Sequence, residues 1–414
     1  MKSGKDKKSI LVVSQYFWPE DFRVNELVIG FQENGYNVEV LTGRPNYPFG
    51  TIFKEFQDNP KKFYNYRDIK VHRVQHFLRG SNKLSLLFNY ISFPLMSCLY
   101  CVFKLNKKNY DIIFGVQLSP IFSVIAAILY KKLFRTPLYL WVLDIWPDSV
   151  LSANISPKGF LYRSLEKLCR MIYSSADVLF LSSNGFLRRL RDMKVSGPKL
   201  IELPQWVETS YIQNVELGGA EDCEVKKIIS PWRGKKIFLF AGNIGEAQDF
   251  SSILAAFKAS DCLDELVFLI LGDGRYKDTM LDKINTYELS GHVFYLGRYP
   301  SEYMPLFYHY ADVLVFALLD IPIFRLTLPG KIQSYMSSGT PIIGMVSGEA
   351  ATVITNAKCG FTVPSGEVRG FSNLIKNCCS ESPEKMNILG KNGRKYAELN
   401  FSYSSLIERA TSHF

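Results

Sequence analysis

Short apolar runs alternate along the whole chain with stretches in which apolar residues recur every third or fourth position. The first pattern reads as buried strands and the second as amphipathic helices. Ile10–Ser14, Val38–Thr42, Val71–Val74, Ile112–Val116, Leu138–Leu143 and Val178–Leu181 predict strands in the first half. The rhythm lapses from Glu202 to the polar stretch before Trp232. It resumes with Ile237–Ala241, Leu266–Leu271, Val293–Leu296, Val313–Phe316, Ile342–Met345 and Phe361–Val363. Strands joined by helical crossovers predict parallel sheets covered on both faces. The expected organisation is α/β, with two consecutive doubly wound, Rossmann-like domains at residues 1–204 and 205–400, and a terminal helix at 401–414 packing back on the first. Such sheets bind ligands beyond the carboxyl ends of their strands, which places the expected site in a cleft between the domains.

Composition narrows the partners. The 414 residues are 47% hydrophobic and 21% charged, which excludes a disordered chain. The net charge of +10 is uneven: residues 1–200 hold 29 Lys and Arg against 15 Asp and Glu, and the remainder 20 against 24. A basic first half seeks an anionic partner, and an anionic membrane surface ranks above nucleic acid, because no basic run matches a nucleic-acid-binding motif. Two uncharged runs, Leu84–Phe103 and Ile112–Tyr130, approach the length of a membrane span. The second breaks at Gln117-Leu-Ser-Pro120 and reads as a strand followed by a helix. The first, with Asn89, Ser92, Pro94 and Ser97, reads as a kinked helix partly buried and partly lying on a bilayer. Eight irregularly spaced cysteines, among them Cys98 and Cys101, fit buried packing in a reducing cytoplasm. The first ten residues are net basic and the apolar run after them is only one strand long, so no signal peptide is read there.

The densest chemistry lies at residues 324–343, where Thr327-Leu-Pro-Gly330 runs into a helix predicted over Lys331–Ser338. The unpaired N–H groups and positive dipole end of such a helix make an anion site. Lys331 adds a cation where the dipole disfavours one, which implies an anion to hold. Two glycine turns, Gly242-Asn-Ile-Gly245 and Gly272-Asp-Gly274, follow strands and allow close backbone approach to a phosphate. Arg275 beyond the second turn reaches phosphate or is simply solvated. There is no Asp-x-Asp pair at a strand end and no metal-ligand spacing, so no metal is expected.

Taken in order, Ala241-Gly-Asn-Ile-Gly-Glu-Ala-Gln248, Leu271-Gly-Asp-Gly274, Phe294-Tyr-Leu-Gly297, Ala311-Asp-Val-Leu314 and Gly339-Thr-Pro-Ile-Ile343 resemble the nucleotide-sugar half of retaining family-four glycosyltransferases with the GT-B fold. Tyr16-Phe-Trp-Pro-Glu20, Leu41-Thr-Gly-Arg-Pro-Asn-Tyr-Pro48, Asp144-Ile-Trp-Pro-Asp-Ser149 and Leu203-Pro-Gln-Trp-Val-Glu208 resemble the fucosamine-transferase-like branch that builds bacterial surface polysaccharides. The resemblance implies a metal-independent hexosyltransferase without a cofactor. It would move a deoxy-amino or N-acetyl hexose from a UDP-linked donor to a polyprenyl-diphosphate-linked saccharide, in O-antigen or capsule synthesis. Its implied location is the cytoplasmic face of the cell membrane.

By resemblance, the donor would meet Gly242, Asn243, Gly245, Gln248, Arg275, Arg298, Leu328, Gly330 and Gln333, with Lys331, Arg325 and Asp144 carrying the chemistry. The acceptor would meet Arg23, Asn25, Arg44 and Asn46. The chain departs from the family pattern in several places. The usual pair of glutamates falls on Arg325 and Gln333, where Gln333 can still hydrogen-bond a ribose hydroxyl and Arg325 can clamp a diphosphate. Asn243 and Gln248 stand where the family carries a basic loop pair, and Leu143 where relatives often place a histidine. Pro19–Asn25 replaces a glycine-rich loop after the first strand. Asp144 is then either the ionisable group facing the cleft or a cap for the following turn. A sugar-nucleotide epimerase and a non-catalytic scaffold of the same fold are the alternatives.

Overall fold

The computed structural model describes residues 7–48, 50–80, 83–153, 159–207, 211 and 218–414. The chain forms two compact units: Met1–Pro204 with Leu406–Phe414, and Gln205–Ser405.

The first unit is built on eight strands: β1 (Ser9–Val13), β2 (Asn37–Thr42), β3 (Asn65–Tyr66), β4 (Ile69–Arg73), β5 (Ile112–Gln117), β6 (Leu138–Val142), β7 (Val178–Leu181) and β8 (Lys199–Glu202). They lie in the order β3-β4-β2-β1-β5-β6-β7-β8, parallel except for the β3–β4 pair. Ile10, Leu11, Val12 and Val13 are all buried, as a central strand covered on both faces requires. The pattern of apolar runs misses β3 and β8. β3 has two residues, and β8 is a partly exposed edge strand with charged ends. The Tyr403–Thr411 helix buries Leu406, Ile407 and Ala410. Beyond it, the Phe414 ring meets Phe31, Phe114 and Tyr139 edge-on at 4.9–6.0 Å, and Tyr139 donates a hydrogen bond to the His413 carbonyl at 2.5 Å.

The second unit has six strands: β9 (Lys236–Ala241), β10 (Leu266–Leu271), β11 (Val293–Gly297), β12 (Val313–Ala317), β13 (Ile342–Met345) and β14 (Gly360–Val363). Their order is β11-β10-β9-β12-β13-β14, all parallel. Alternate residues feed opposite cores: Leu239, Leu269, Leu314 and Ile342 on one face, and Phe238, Phe268, Val315 and Ile343 on the other. In each sheet the winding reverses once, between β1 and β5 in the first unit and between β9 and β12 in the second. These reversals are where doubly wound sheets open a crevice for ligands.

The Lys83–Lys104 helix is amphipathic inside out. Asn89, Ser92 and Ser97 are buried, and Asn89 donates to the Phe77 carbonyl while accepting from the Gln15 amide. Leu84, Leu87, Phe88, Ile91, Leu95, Leu99 and Phe103 are exposed at helical spacing, on a segment long and apolar enough to cross a membrane by composition. Pro94 lies within it and removes one rung of the helical hydrogen-bond ladder.

Candidate functional site

The reversal in the second sheet brings the loop after β9 against the helix that precedes β13. That helix spans Gly330–Ser338, begins at Pro329 without a side-chain cap and ends at Gly339 in the left-handed region. Its apolar face, Ile332, Tyr335 and Met336, is fully buried. Tyr335 also accepts from the Ala241 amide at 2.9 Å, pinning the end of β9 to the helix one turn beyond Lys331.

This arrangement aims Lys331 at the glycine loop. A Cβ placed on Gly242 would stand 2.6 Å from Lys331 Nζ, so the absence of a side chain there makes room for the amine. Nζ lies 3.7 Å from the centre of the Phe240 ring. Although the residue as a whole is only partly buried, Nζ itself is buried and has no hydrogen-bond partner among the described residues. That desolvation pushes its pKa from 10.5 down to about 7. The Gln333 side chain, on the same helix, is also buried, and both its amide atoms lack partners. The first turn of this helix thus carries a buried amine and a buried primary amide, neither with a hydrogen-bond partner among the described residues, and it starts without a side-chain cap. Buried groups of this kind cost about 1–3 kcal/mol each when unpaired, and an anion beside a polyhydroxy group would satisfy them.

The neighbouring loops are locked by glycine. Gly242 and Gly272 have φ of 139° and 130°, and a Cβ on Gly272 would fall 1.8 Å from the Gly242 carbonyl oxygen. Gln248 Oε1 accepts from the Gly245 amide at 2.9 Å and from Asn243 Nδ2 at 3.4 Å, so Gln248 closes the loop with its own amide oxygen. Leu328 belongs to the apolar core below, and Gly330 opens the helix. Arg275 and Arg298 are exposed beyond β10 and β11. The Arg325 fork pairs with both oxygens of Asp320 at 2.6 Å, and that carboxylate is held below the usual range by the pairing.

In the first unit the side chains expected to meet an acceptor make contacts within the protein, while Arg44 Nε is buried with no hydrogen-bond partner among the described residues. Asn25 accepts from the Trp18 amide and donates to the Glu20 carbonyl. Asn46 donates to the Arg44 carbonyl and accepts from the Arg79 amide. Arg44 donates to the His76 carbonyl, and Arg23 pairs with Glu26. What organises this edge is Glu20, which accepts from the amides of Asn46, Tyr47 and Phe17 and whose pKa burial nonetheless raises to about 7. The residue sits within the Tyr16–Glu20 motif, but nothing in the sequence marks it as buried. Asp144, beyond β6, accepts from Ser149 Oγ and from Trp146 Nε1, and burial raises its pKa. Both of its oxygens therefore have internal partners, which fits a group that orders its own turn.

Residues 224–396 match the family described as "Glycosyl transferases group 1". Over 281 residues the chain is 26% identical to the protein named "Probable glycosyltransferase WbjE" of Pseudomonas aeruginosa, covering 66% of this chain and 67% of that protein. Sucrose-phosphate synthase of Thermosynechococcus elongatus shares its fold with a TM-score of 0.74 at 16% identity, over 98% of each chain. Anabaena Alr3699/HepE, solved in complex with UDP, matches with a TM-score of 0.69 at 14% identity, over 98% of this chain and 99% of that one.

The fold is GT-B. In this GT-B chain the matched region contains all the groups gathered around Lys331, from Phe240 to Gln333.

Proposed function

We propose that the protein is a glycosyltransferase of bacterial surface-polysaccharide synthesis, moving a deoxy-amino or N-acetyl hexose with retention from a UDP-linked donor to a polyprenyl-diphosphate-linked saccharide. The observation that carries the reading is Lys331, a buried amine with no partner at an uncapped helix start. A nucleoside diphosphate supplies what that place lacks: negative charge for Lys331 and the helix N–H groups, and ribose hydroxyls for the Gln333 amide. When the sugar–oxygen bond breaks, its electron pair leaves with the diphosphate, and the same groups stabilise the charge that develops. The acceptor hydroxyl attacks the anomeric carbon and loses its proton to the departing phosphate oxygen. No metal takes part in this reading, and Arg325 joins it only by exchanging Asp320 for phosphate.

Isothermal titration with UDP, GDP and dTDP tests the reading. UDP is expected to bind and to raise the melting temperature. A protein that binds none of the three is a scaffold, and the reading falls.

The reading places the first unit on the inner face of the cell membrane. Its support is the exposed apolar stripe of the Lys83–Lys104 helix and a second one on the Phe160–Ser174 helix, where Phe160, Leu161, Leu168 and Met171 are exposed beside Arg163 and Lys167. Apolar insertion plus basic residues, each worth about 1 kcal/mol near an anionic surface, favours peripheral binding. The protein is expected to sediment with phosphatidylglycerol vesicles, to be released in good part by high salt, and to lose binding when Phe88, Ile91 and Leu95 are all changed to Ser. Retention through salt and carbonate washing would show a true span instead.

A further inference from the structure

The reversal in the first sheet carries its own unpaired groups. Two residues beyond Val13↔Gly115, a β1–β5 register pair, stand Gln15 and Gln117, at the carboxyl ends of adjacent strands. Both side chains are buried, at 1% and 0% exposure. Their backbone carbonyls are spent: Gln15 accepts from the Gly43 amide, and Gln117 from the Leu143 amide. Each amide nitrogen donates one hydrogen bond within the protein. Gln15 Nε2 donates to Asn89 Oδ1 at 3.1 Å, and Gln117 Nε2 donates to the Leu118 carbonyl at 2.9 Å. Asn89 is itself oriented, because its own amide nitrogen donates to the Phe77 carbonyl at 2.7 Å. Flipping either glutamine would set an oxygen against an oxygen, so the hydrogen-bond network fixes which atom points where. The two amide oxygens are left, and neither has a partner among the described residues.

Two neighbouring strand ends thus carry two buried amide oxygens that no described group satisfies. An amide oxygen accepts from O–H groups and gains nothing from a phosphate or carboxylate oxygen. We infer that Gln15 and Gln117 form a saccharide subsite in the first unit, their amide oxygens accepting hydrogen bonds from hydroxyls of a pyranose ring. The inference rests on the glycosyl-transfer reading for its choice of a sugar, and that sugar is either the transferred hexose or the acceptor saccharide. Keeping two buried acceptors unpaired costs the empty protein stability, which a site built for a ligand tolerates and a purely structural site has no reason to.

The test uses Gln15→Leu and Gln117→Leu in the full chain, with Met in place of Leu where a variant does not fold. One arm titrates UDP, UDP-glucose and UDP-N-acetylglucosamine. The other titrates methyl glucoside and methyl N-acetylglucosaminide, with and without UDP. The wild type is expected to gain affinity from the sugar in one arm, and that arm identifies the source. Each Leu variant is expected to lose the gain by at least about tenfold, as one lost hydrogen bond allows. It should bind UDP unchanged and melt at an equal or higher temperature. Sugar affinity retained in both variants overturns the inference. So does a wild type that gains nothing from any sugar, or a pair of variants that melt lower while binding sugar normally, which would mean that the amides hold structural water. Failure of UDP to bind sinks the broader reading instead, and the glycoside arm without UDP still decides this one.

Discussion

Lys331→Met is expected to raise the stability of the ligand-free protein while lowering its affinity for UDP by at least about a hundredfold, or about 2.7 kcal/mol. The two effects have one cause. Burial without a partner lowers the pKa of Lys331 from 10.5 to about 7, so between those values the unfolded chain binds a proton that the folded one does not. The penalty is present in full below pH 7 and fades as pH rises towards 10.5. Stability of the wild type should therefore climb across that window by a few kcal/mol, and the Met variant should lack this climb. A bound diphosphate supplies the missing negative charge and draws a proton onto the amine, so wild-type affinity should fall as pH rises above 7. Denaturant melts at pH 7 and 9.5, with titrations at the same values, check both halves. An affinity for UDP equal to that of the wild type would remove Lys331 from the site.

Gly272→Ala is expected to cost more than about 4 kcal/mol, a size reserved for severe steric or cavity defects. Two faults coincide at this position: φ is 130°, and the new Cβ would fall 1.8 Å from the Gly242 carbonyl oxygen. That oxygen is backbone and cannot turn aside, so the loop bearing Gly242 must move and Lys331 loses its place. Gly291→Ala is the control. Nothing lies within 4 Å of its Cβ, and the change should stay within about 0.5 kcal/mol. Guanidinium unfolding of the two variants gives the comparison, and similar midpoints would show that the two glycine loops do not interlock as described.

The parallel sheets were legible because their strands are buried on both faces and appear as continuous apolar runs. Leu266–Leu271 was bounded correctly from the run alone. β3 and β8 escaped because a two-residue strand and a partly exposed edge strand leave no such run. The helix before β13 is visible from its Pro-Gly start and Gly end, and with it Lys331. Side-chain partners are another matter, because they come from residues distant in the chain. Arg325 reads in sequence as a free cation, yet Asp320 neutralises it. Asn25, Arg44 and Asn46 read as an acceptor surface, yet they hold the turns around Glu20 together. Gln15 and Gln117 carry no motif at all and stand out only once strand register and hydrogen-bond partners are known.

The last nine residues, Leu406–Phe414, belong to the unit begun by the first two hundred. A ribosome releases the chain from its N-terminus, so β1 to β8 emerge long before the aromatic ring that closes over Phe31, Phe114 and Tyr139. The second unit is contiguous and can complete itself in passing. The first must wait, with that patch of its core uncovered, until residues 406–414 emerge. During that interval the nascent chain is open to holding chaperones and to proteases, and loss of these residues would injure the half of the protein made first.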